Sequence, residues 1–515
     1  MSEKSTETYV MDLTFQFCIF LLLTFTTISF YLLRSWHRLN DIPGPFWAKF
    51  TNLQRLSWVR SKEAHLVYYD LHKKYGDMVR MGPNMVSISN PTAIPIIYPM
   101  RAGIAKSDFY TALRPYSRNA GPQQSIFNTQ DEQVLKSLKK PIAPIFSHSN
   151  VVKFEPLVEE VLKCIAKQFD VHFVKTGESF NIGDWLQYFA FDVMGTMTFS
   201  KRYGFLDEGR DVDDKLKTIF RFMETAAPMT QIPWLDKWVY KNRFVDIFRR
   251  TPGLSILTYV ARIIKERRDI IANSEKNREH DTYDFEGQPR QDFLSQYIEI
   301  QEKNAGVPLW APQAWVFTNV VAGSDSVGTV MRTTLYHLLL NRETLDKLYG
   351  ELKTANLSKP YPKWGEIRNL QYLDACVQEA LRIHPSFALP FERTVPAGGL
   401  TVLGKYIPAG TIIGSNPYVN NRHKPTFGQD AESWRPERWI EGGSEHKMEL
   451  EQSMITFGAG RRVCLGRHIG IFEVKKFISF LIMTYNIQVD KPQLFTVENI
   501  WVLKQSGFYA CIEHR

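Results

Sequence analysis

The chain has 515 residues, with 63 Lys+Arg against 54 Asp+Glu and a formal charge of +9. With 44% hydrophobic and 23% charged residues it can offset its ordering entropy by burial, which excludes disorder as its main state. The basic residues are scattered and no zinc-finger, helix-turn-helix or RNA-binding signature accompanies them, so the charge argues for anionic lipid or an acidic protein partner rather than nucleic acid.

Leu13 to Leu33 is a run of 21 residues without a charge. At about 1.5 Å per residue it spans roughly 31 Å, the thickness of a bilayer core. Glu3, Glu7 and Asp12 precede it, and Arg34, His37 and Arg38 follow it. A cleaved signal peptide would have a basic start and a shorter apolar core, so a single-pass anchor fits better. The positive-inside rule then places everything after Arg34 in the cytosol. Residues 1–40 are thus expected as a membrane anchor, and residues 41–515 as the body. The five cysteines (Cys18, Cys164, Cys376, Cys464 and Cys511) are odd in number and widely spaced, against a disulfide framework and for a reducing compartment. Pro43-Gly44-Pro45 cannot continue a helix and reads as a stiff elbow or an ordinary linker.

Along the body, Ser61 to Tyr75 has helical apolar spacing, broken by Gly76 and Gly82-Pro83, and Met85 to Ser89 alternates as a strand. Asn150 to Val174 reads as a long amphipathic helix through Phe154, Leu157, Val158, Val161, Leu162, Ile165 and Phe169. Ala272 to Gln291 reads as a solvated loop and Ala314 to Leu340 as a buried helix of about seven turns. Gly398 to Ile413 suits a hairpin around Gly404. The expectation is a mainly α chain with a minor, mostly antiparallel β component. Length alone admits two to four domains.

Two segments carry chemistry. Phe457-Gly458-Ala459-Gly460-Arg461-Arg462-Val463-Cys464-Leu465-Gly466 is a glycine-rich loop presenting one cysteine before an apolar helix, Ile469 to Leu481. A sulfur at a helix N-terminus beside arginine is favoured as thiolate, the form that ligates metal. A buried structural cysteine beside a helix cap is the plainer alternative. The second segment, Ala322-Gly323-Ser324-Asp325-Ser326, places an acid and a hydroxyl inside the apolar helix, where they are costly without partners or water. The plainer reading there is a kink at Gly323 with Ser326 bonding back to a carbonyl.

The pattern F-x-x-G-x-R-x-C-x-G is met by Phe457, Gly460, Arg462, Cys464 and Gly466. A chance match in a chain of this length is on the order of 10⁻⁴. The segment resembles the haem-binding signature of the cytochrome P-450 family. Glu379-Ala380-Leu381-Arg382 is similar to the family's E-x-x-R motif, and Pro436-Glu437-Arg438-Trp439 to its P-E-R-F/W segment. The likeness covers nearly the entire chain, from the anchor and the Pro43-Gly44-Pro45 elbow to the C-terminus. His72 to Gly76, Val79 to Asn84 and Lys106 to Tyr110 look closest to fungal microsomal, pisatin demethylase-like members.

This resemblance implies a cytochrome P-450 fold forming a single large domain behind the anchor. Haem b would be ligated by Cys464, with Phe457 and Gly458 beside it. Arg462, Arg393 and Lys139 would hold the propionates, Lys139 standing where the family's W/H-x-x-x-R motif has arginine and Leu135 where it has the aromatic. Glu379, Arg382 and Arg438 would lock together beneath the haem. Asp325 and Ser326 would deliver protons, with Ser326 in place of the usual Thr. The implied activity is an NADPH- and O2-dependent monooxygenase at the endoplasmic reticulum membrane. It would be fed by a separate NADPH-cytochrome P-450 reductase, with cytochrome b5 as a further candidate donor. Lys139, Lys140, Arg461 and Arg467 are candidate docking charges. The substrate expected by analogy is an apolar terpenoid or polyketide of secondary metabolism, met by Phe109, Tyr110, Phe317, Val321, Phe387 to Leu389, Gly507 and Phe508. A reductase-independent isomerase or dehydratase, and a non-catalytic haem-binding protein, are the alternatives.

Overall fold

The apolar N-terminal run lies within one long helix, α1 (Glu3–Arg38). Its Leu13–Arg38 stretch is long and apolar enough to cross a membrane; no residue from Leu13 to Leu33 is buried, and contact with the body starts at Ser35. The hydroxyls of Thr24, Thr26 and Thr27 return to carbonyls four residues back, which makes them compatible with lipid. The computed structural model describes residues 3–101, 103–117, 121–242, 255–277 and 292–515.

The proline elbow is fixed to the body. The Pro43 carbonyl accepts the Arg80 N–H at 2.7 Å. A Cβ on Gly44 would stand 2.2 Å from the Arg80 carbonyl oxygen, so only glycine allows that approach. The buried Arg80 guanidinium donates to the carbonyls of Ser35 at 2.6 Å and Pro83 at 2.9 Å, tying the end of α1 to the first strand.

Several helices differ from the sequence expectation at their ends. Helix α2 (Ala64–Tyr75) starts after Lys62, whose φ of 65° interrupts the helical course. The span expected from Asn150 is broken into a turn, His148–Val151, and a helix Glu155–Phe169 that ends in a π turn, Asp170–Val174. Pro156 explains the break, being tolerated in a first turn and not inside a helix. Residues 272–277, expected as loop, continue a helix Ser255–Asn277, whereas 278–291 lie outside the described residues.

Five strands, β1 (Met78–Gly82), β2 (Met85–Ile88), β3 (Ala105–Lys106), β4 (Arg393–Thr394) and β5 (Ile412–Gly414), form a sheet in the order β1-β2-β5-β4-β3. Only β2 and β5 pair in parallel, so the sheet is mostly antiparallel as expected. The expected hairpin joins Leu400–Val402 to Lys405–Ile407 through Leu403 and Gly404, both at positive φ. Leu39, Ile42, Val86, Ile88, Ile413 and Ile455 form a core around this sheet, separate from the large helical core.

In the helical part, α3 (Glu132–Ile142) is capped by Asp131, whose Oδ1 accepts the N–H groups of Gln133 and Val134. Helix α4 (Ile182–Phe199) packs along the central α5 (Ala311–Leu340), and α6 (Gln371–Ile383) and α7 (Arg467–Thr484) pack on α5 as well. Ser324, Ser326, Thr329, Thr333 and Thr334 return their hydroxyls to carbonyls four residues back, which satisfies them inside the apolar α5.

Candidate active site

The cysteine loop closes on itself before α7 begins. The Gly458 N–H donates to the Ile455 carbonyl at 2.8 Å, and the Cys464 N–H to the Phe457 carbonyl at 2.9 Å. Gly460, at φ +60°, brings its α-carbon so near the Tyr98 carbonyl that a Cβ would meet that oxygen at 2.0 Å. Two residues on from the sulfur, Gly466 keeps any side chain out of its surroundings. Burial pushes the Cys464 thiol up from its ordinary value, while the N–H groups of Gly466 and Arg467 and the charges of Lys139 and Arg467 favour the thiolate.

Cys464 opens on an interior cavity, and among the described residues it is the one cysteine there. Phe457 and Gly458 line the cavity beside it; Ala322, Gly323, Ser326 and Val327 of α5, with Ile126, Phe127, Trp315 and Phe387, make much of the remaining wall apolar. Lys106, Lys139, Arg393 and Arg462 also line it. Glu132 pairs with Arg461 at 2.8 Å and with Arg462 at 2.5 Å, and Arg462 donates to the Thr129 carbonyl at 2.9 Å.

The residues fit a haem. Among the described residues no group of three or more His, Cys, Asp or Glu side chains is arranged to hold a metal ion. A metal on Cys464 must therefore bring its other ligands, as a porphyrin does. The surplus of buried cations over carboxylates around the same cavity matches a group that carries two carboxylates.

The expected triad is assembled and buried. Arg382 grips Glu379 in a bidentate pair, both contacts at 2.8 Å, and Arg438 Nε adds a third at 3.1 Å. The Arg435 N–H and the Trp439 indole N–H also donate to Glu379, each at 2.9 Å. Burial would raise this carboxyl, but the guanidinium groups of Arg382 and Arg438 hold it below its usual value.

The two expected proton-relay residues face different ways. Ser326 is on the cavity wall and donates to the Ala322 carbonyl at 2.6 Å. The Asp325 carboxyl is buried behind it, toward α4, where Oδ1 accepts from the Gln187 amide at 3.2 Å and Gln187 accepts from Arg332 at 2.5 Å. Burial pushes the Asp325 carboxyl up, opposed by the Arg332 charge and the Gln187 hydrogen bond. The plainer reading of this segment holds in part: Ser326 does bond back, while Gly323 makes room for Met194 of α4 within an unbroken helix.

Lys139 turns its ammonium to the carbonyls of Arg461 at 2.8 Å and Val463 at 3.1 Å, so it braces the cysteine loop. Of the docking charges, Arg461 is engaged by Glu132, whereas Lys140 and Arg467 are exposed. Of the expected substrate contacts, Tyr110 and Phe387 line the cavity. Phe109, Phe317, Val321, Leu389 and Phe508 are not among its lining residues, and Phe508 packs edge-on against Tyr336 instead. Helical spacing alone does not tell which face of α5 meets the cavity. Lys106 was missed, although it stands in a segment the family likeness picks out; only strand register reveals what it faces.

A family model described as Cytochrome P450 matches residues 42–512. Cytochrome P450 monooxygenase mfmA of Annulohypoxylon moriforme is 56% identical over 486 residues, covering 94% of this chain and 93% of the relative. Cytochrome P450 monooxygenase mpaDE' of Penicillium brevicompactum is 50% identical over 485 residues, covering 93% of this chain and 56% of that longer relative. The crystal structure of a cytochrome P450DA mutant heme domain shares the fold with a TM-score of 0.72 at 18% identity, covering 92% of this chain and 98% of the other. Signature, cavity and relatives agree, and the chain belongs to the cytochrome P450 family.

Proposed function

We propose that this protein is a membrane-anchored haem-thiolate monooxygenase that inserts one oxygen atom from O2 into an apolar small molecule, a terpenoid or polyketide intermediate of fungal secondary metabolism. The observation that carries this reading is the Cys464 sulfur opening on a largely apolar cavity whose wall also holds the Ser326 hydroxyl. The relatives named as monooxygenases, from fungi, support the same class.

When bound, the haem would supply O2 activation, which electron donation from a thiolate ligand would favour. Cys464 would provide that thiolate, and Arg393 and Arg462, on the same cavity wall, would hold the carboxylates. Ser326 presents its hydroxyl lone pairs to the cavity, since its proton is committed to the Ala322 carbonyl in the resting arrangement. Asp325, whose carboxyl burial pushes up, is the acid that replenishes it once the carboxyl turns from Gln187 toward the cavity. The apolar wall excludes water from the reacting bond and selects membrane-soluble substrates.

Residues 1–40 anchor the protein in the endoplasmic reticulum membrane and residues 41–515 form the cytosolic catalytic domain. Electrons come from NADPH through a separate reductase whose acidic face meets Lys140 and Arg467, with cytochrome b5 as a second donor. The test is the reduced, CO-treated spectrum together with NADPH-dependent turnover. Cys464→Ser should abolish both the thiolate-specific Soret band and product. Turnover that persists without NADPH or reductase would favour an isomerase or dehydratase, and product formation by Cys464→Ser would refute the core claim.

A further inference from the structure

Arg332 of α5 is buried, and among the described residues it makes no ion pair with a carboxylate. Its guanidinium forks instead between two amides. Nη1 donates to the Gln187 side chain of α4 at 2.5 Å and to the Gly183 carbonyl at 3.2 Å, and Nε donates to the Gln505 side chain at 3.3 Å. Gln187 turns its own NH2 to Asp325 Oδ1 at 3.2 Å, while Asp325 Oδ2 is buried and, among the described residues, has no partner. An amide thus stands between buried acid and buried cation, and the carboxyl is held by a hydrogen bond rather than by a direct ion pair, so little has to break for it to turn. Gly328 makes room for this: a Cβ there would stand 2.8 Å from Gln187 Oε1 and 3.6 Å from Arg332 Nη1.

Gln505 belongs to the antiparallel hairpin of strands Thr496–Ile500 and Val502–Ser506, and its amide also donates to the Thr333 hydroxyl at 2.7 Å. Ile500 pairs with Val502, so Trp501 alone makes the turn, at a φ of 83° that bulky side chains rarely adopt. Such a conformation persists only where its surroundings hold it. Here the surroundings include the cavity wall. The Trp501 ring lies 5.2 Å from Phe127 and 5.0 Å from Phe387, centroid to centroid, and both of those residues line the cavity. One set of contacts therefore runs from the cavity wall through the hairpin and Arg332 to Asp325.

We propose that Arg332 is a positioning residue that links filling of the cavity to proton delivery. Through Gln187 it keeps the Asp325 carboxyl turned from the cavity, and through Gln505 it ties that orientation to the hairpin. A bound substrate that pushes Phe127 and Phe387 outward moves Trp501 and its strand, draws Arg332 from Gln187, and lets Asp325 turn toward Ser326. Without substrate the acid stays behind the wall. This rests on the monooxygenase reading above. The charges that face Asp325 are Arg332 on its own helix and Lys504 on the hairpin; α4 presents the neutral Gln187 to it and sets Asp184 against Arg332.

The experiment follows the infrared band of the protonated Asp325 carboxyl in resting full-length protein through a pH titration, the band being assigned by its absence in Asp325→Asn. Gly328→Ala favours the helix but crowds the amide, and Trp501→Gly suits the positive φ but removes the ring. Both should move the band to higher wavenumber as the Gln187 hydrogen bond is lost. Arg332→Lys keeps the charge without the fork, so it should shift the band likewise and leave the titration in place. Arg332→Met should in addition raise the proton affinity of Asp325 about tenfold. Trp501→Gly combined with Arg332→Lys should shift the band no further than Arg332→Lys alone. In each protein, NADPH-driven oxygen uptake with added reductase should fall above the pH at which the band titrates. A band unmoved by Gly328→Ala and Arg332→Lys, additive shifts in the double variant, or a pH limb that does not follow the band would each overturn the link. No oxygen uptake in any protein, wild type included, would instead sink the functional reading on which it rests.

Discussion

Replacing Glu379 with Gln should destabilise the body by about 3–5 kcal/mol, the range for removing one partner of a buried ion pair. Glu379 accepts from Arg382 Nε and Nη2, Arg438 Nε, the Arg435 N–H and the Trp439 indole. A glutamine keeps one oxygen to accept with and aims an NH2 group at surrounding donors. Arg438 retains Asp430 at 3.3 Å, but Arg382 keeps only the carbonyls of Asn421, Ala431 and Ser433, so the orphaned charge is mainly that of Arg382. Unfolding entropy of about 2.1 cal/mol/K per residue gives about 1 kcal/mol/K for a body of this size, so the midpoint should fall by about 3–5 °C. The assay is thermal melting followed by far-UV circular dichroism. The Glu379 carboxyl sits below its usual value when folded, so its contribution is present above the unfolded pKa of about 4.3 and fades as pH falls through the folded one. The gap between wild type and variant should therefore narrow in acid. A midpoint within about 1 °C of wild type at neutral pH would refute the reasoning.

Acid should weaken the fold through histidines as well. Burial pushes His65, His72 and His337 each down to about 4, so they are neutral in the folded chain and take up protons on unfolding. Stability should be full above about pH 6.5 and fall by up to about 4 kcal/mol per pH unit toward pH 4; urea midpoints that stay flat across that window would count against it. Gly460→Ala should lose most of its thiolate-type haem signal, since the added carbon meets the backbone oxygens of Tyr98 at 2.0 Å and Pro99 at 2.6 Å and neither can give way like a side chain. Full haem content in that variant would show the loop is less constrained. Ser326→Ala should release more hydrogen peroxide per NADPH consumed, and an unchanged ratio would remove Ser326 from proton delivery.

Much of the site was legible because it is written in local pattern. Cys464 needs glycine-rich backbone on one side and a helix start on the other, and both lie within a few residues of it. Glu379 and Arg382 are neighbours on one helix face, so their pairing follows from spacing. The anchor was legible because hydrophobic length is a one-dimensional property. The break before Glu155–Phe169 was harder to read, since apolar periodicity runs straight across it and only Pro156 marks it.

Side-chain direction within the elements was not legible. Asp325 and Ser326 are adjacent in sequence and therefore about 100° apart around α5, so one reaches the cavity wall and the other packs toward α4. Which of them faces the sulfur depends on how α5 is rotated against α4 and α7, and that rotation is set by packing contacts such as Met194 against Gly323. The same holds for the cations. Sequence placed Lys139 at the propionates by position in a motif, but the chain brings Lys106 opposite Arg393 by pairing strands some 290 residues apart. The sequence by itself determined the family, the ligand cysteine and the anchor, because each is a local pattern of residue types. Tertiary structure alone decided which charges meet around the cavity, because strand register and helix rotation minimise the free energy of the whole packed chain rather than of any one segment.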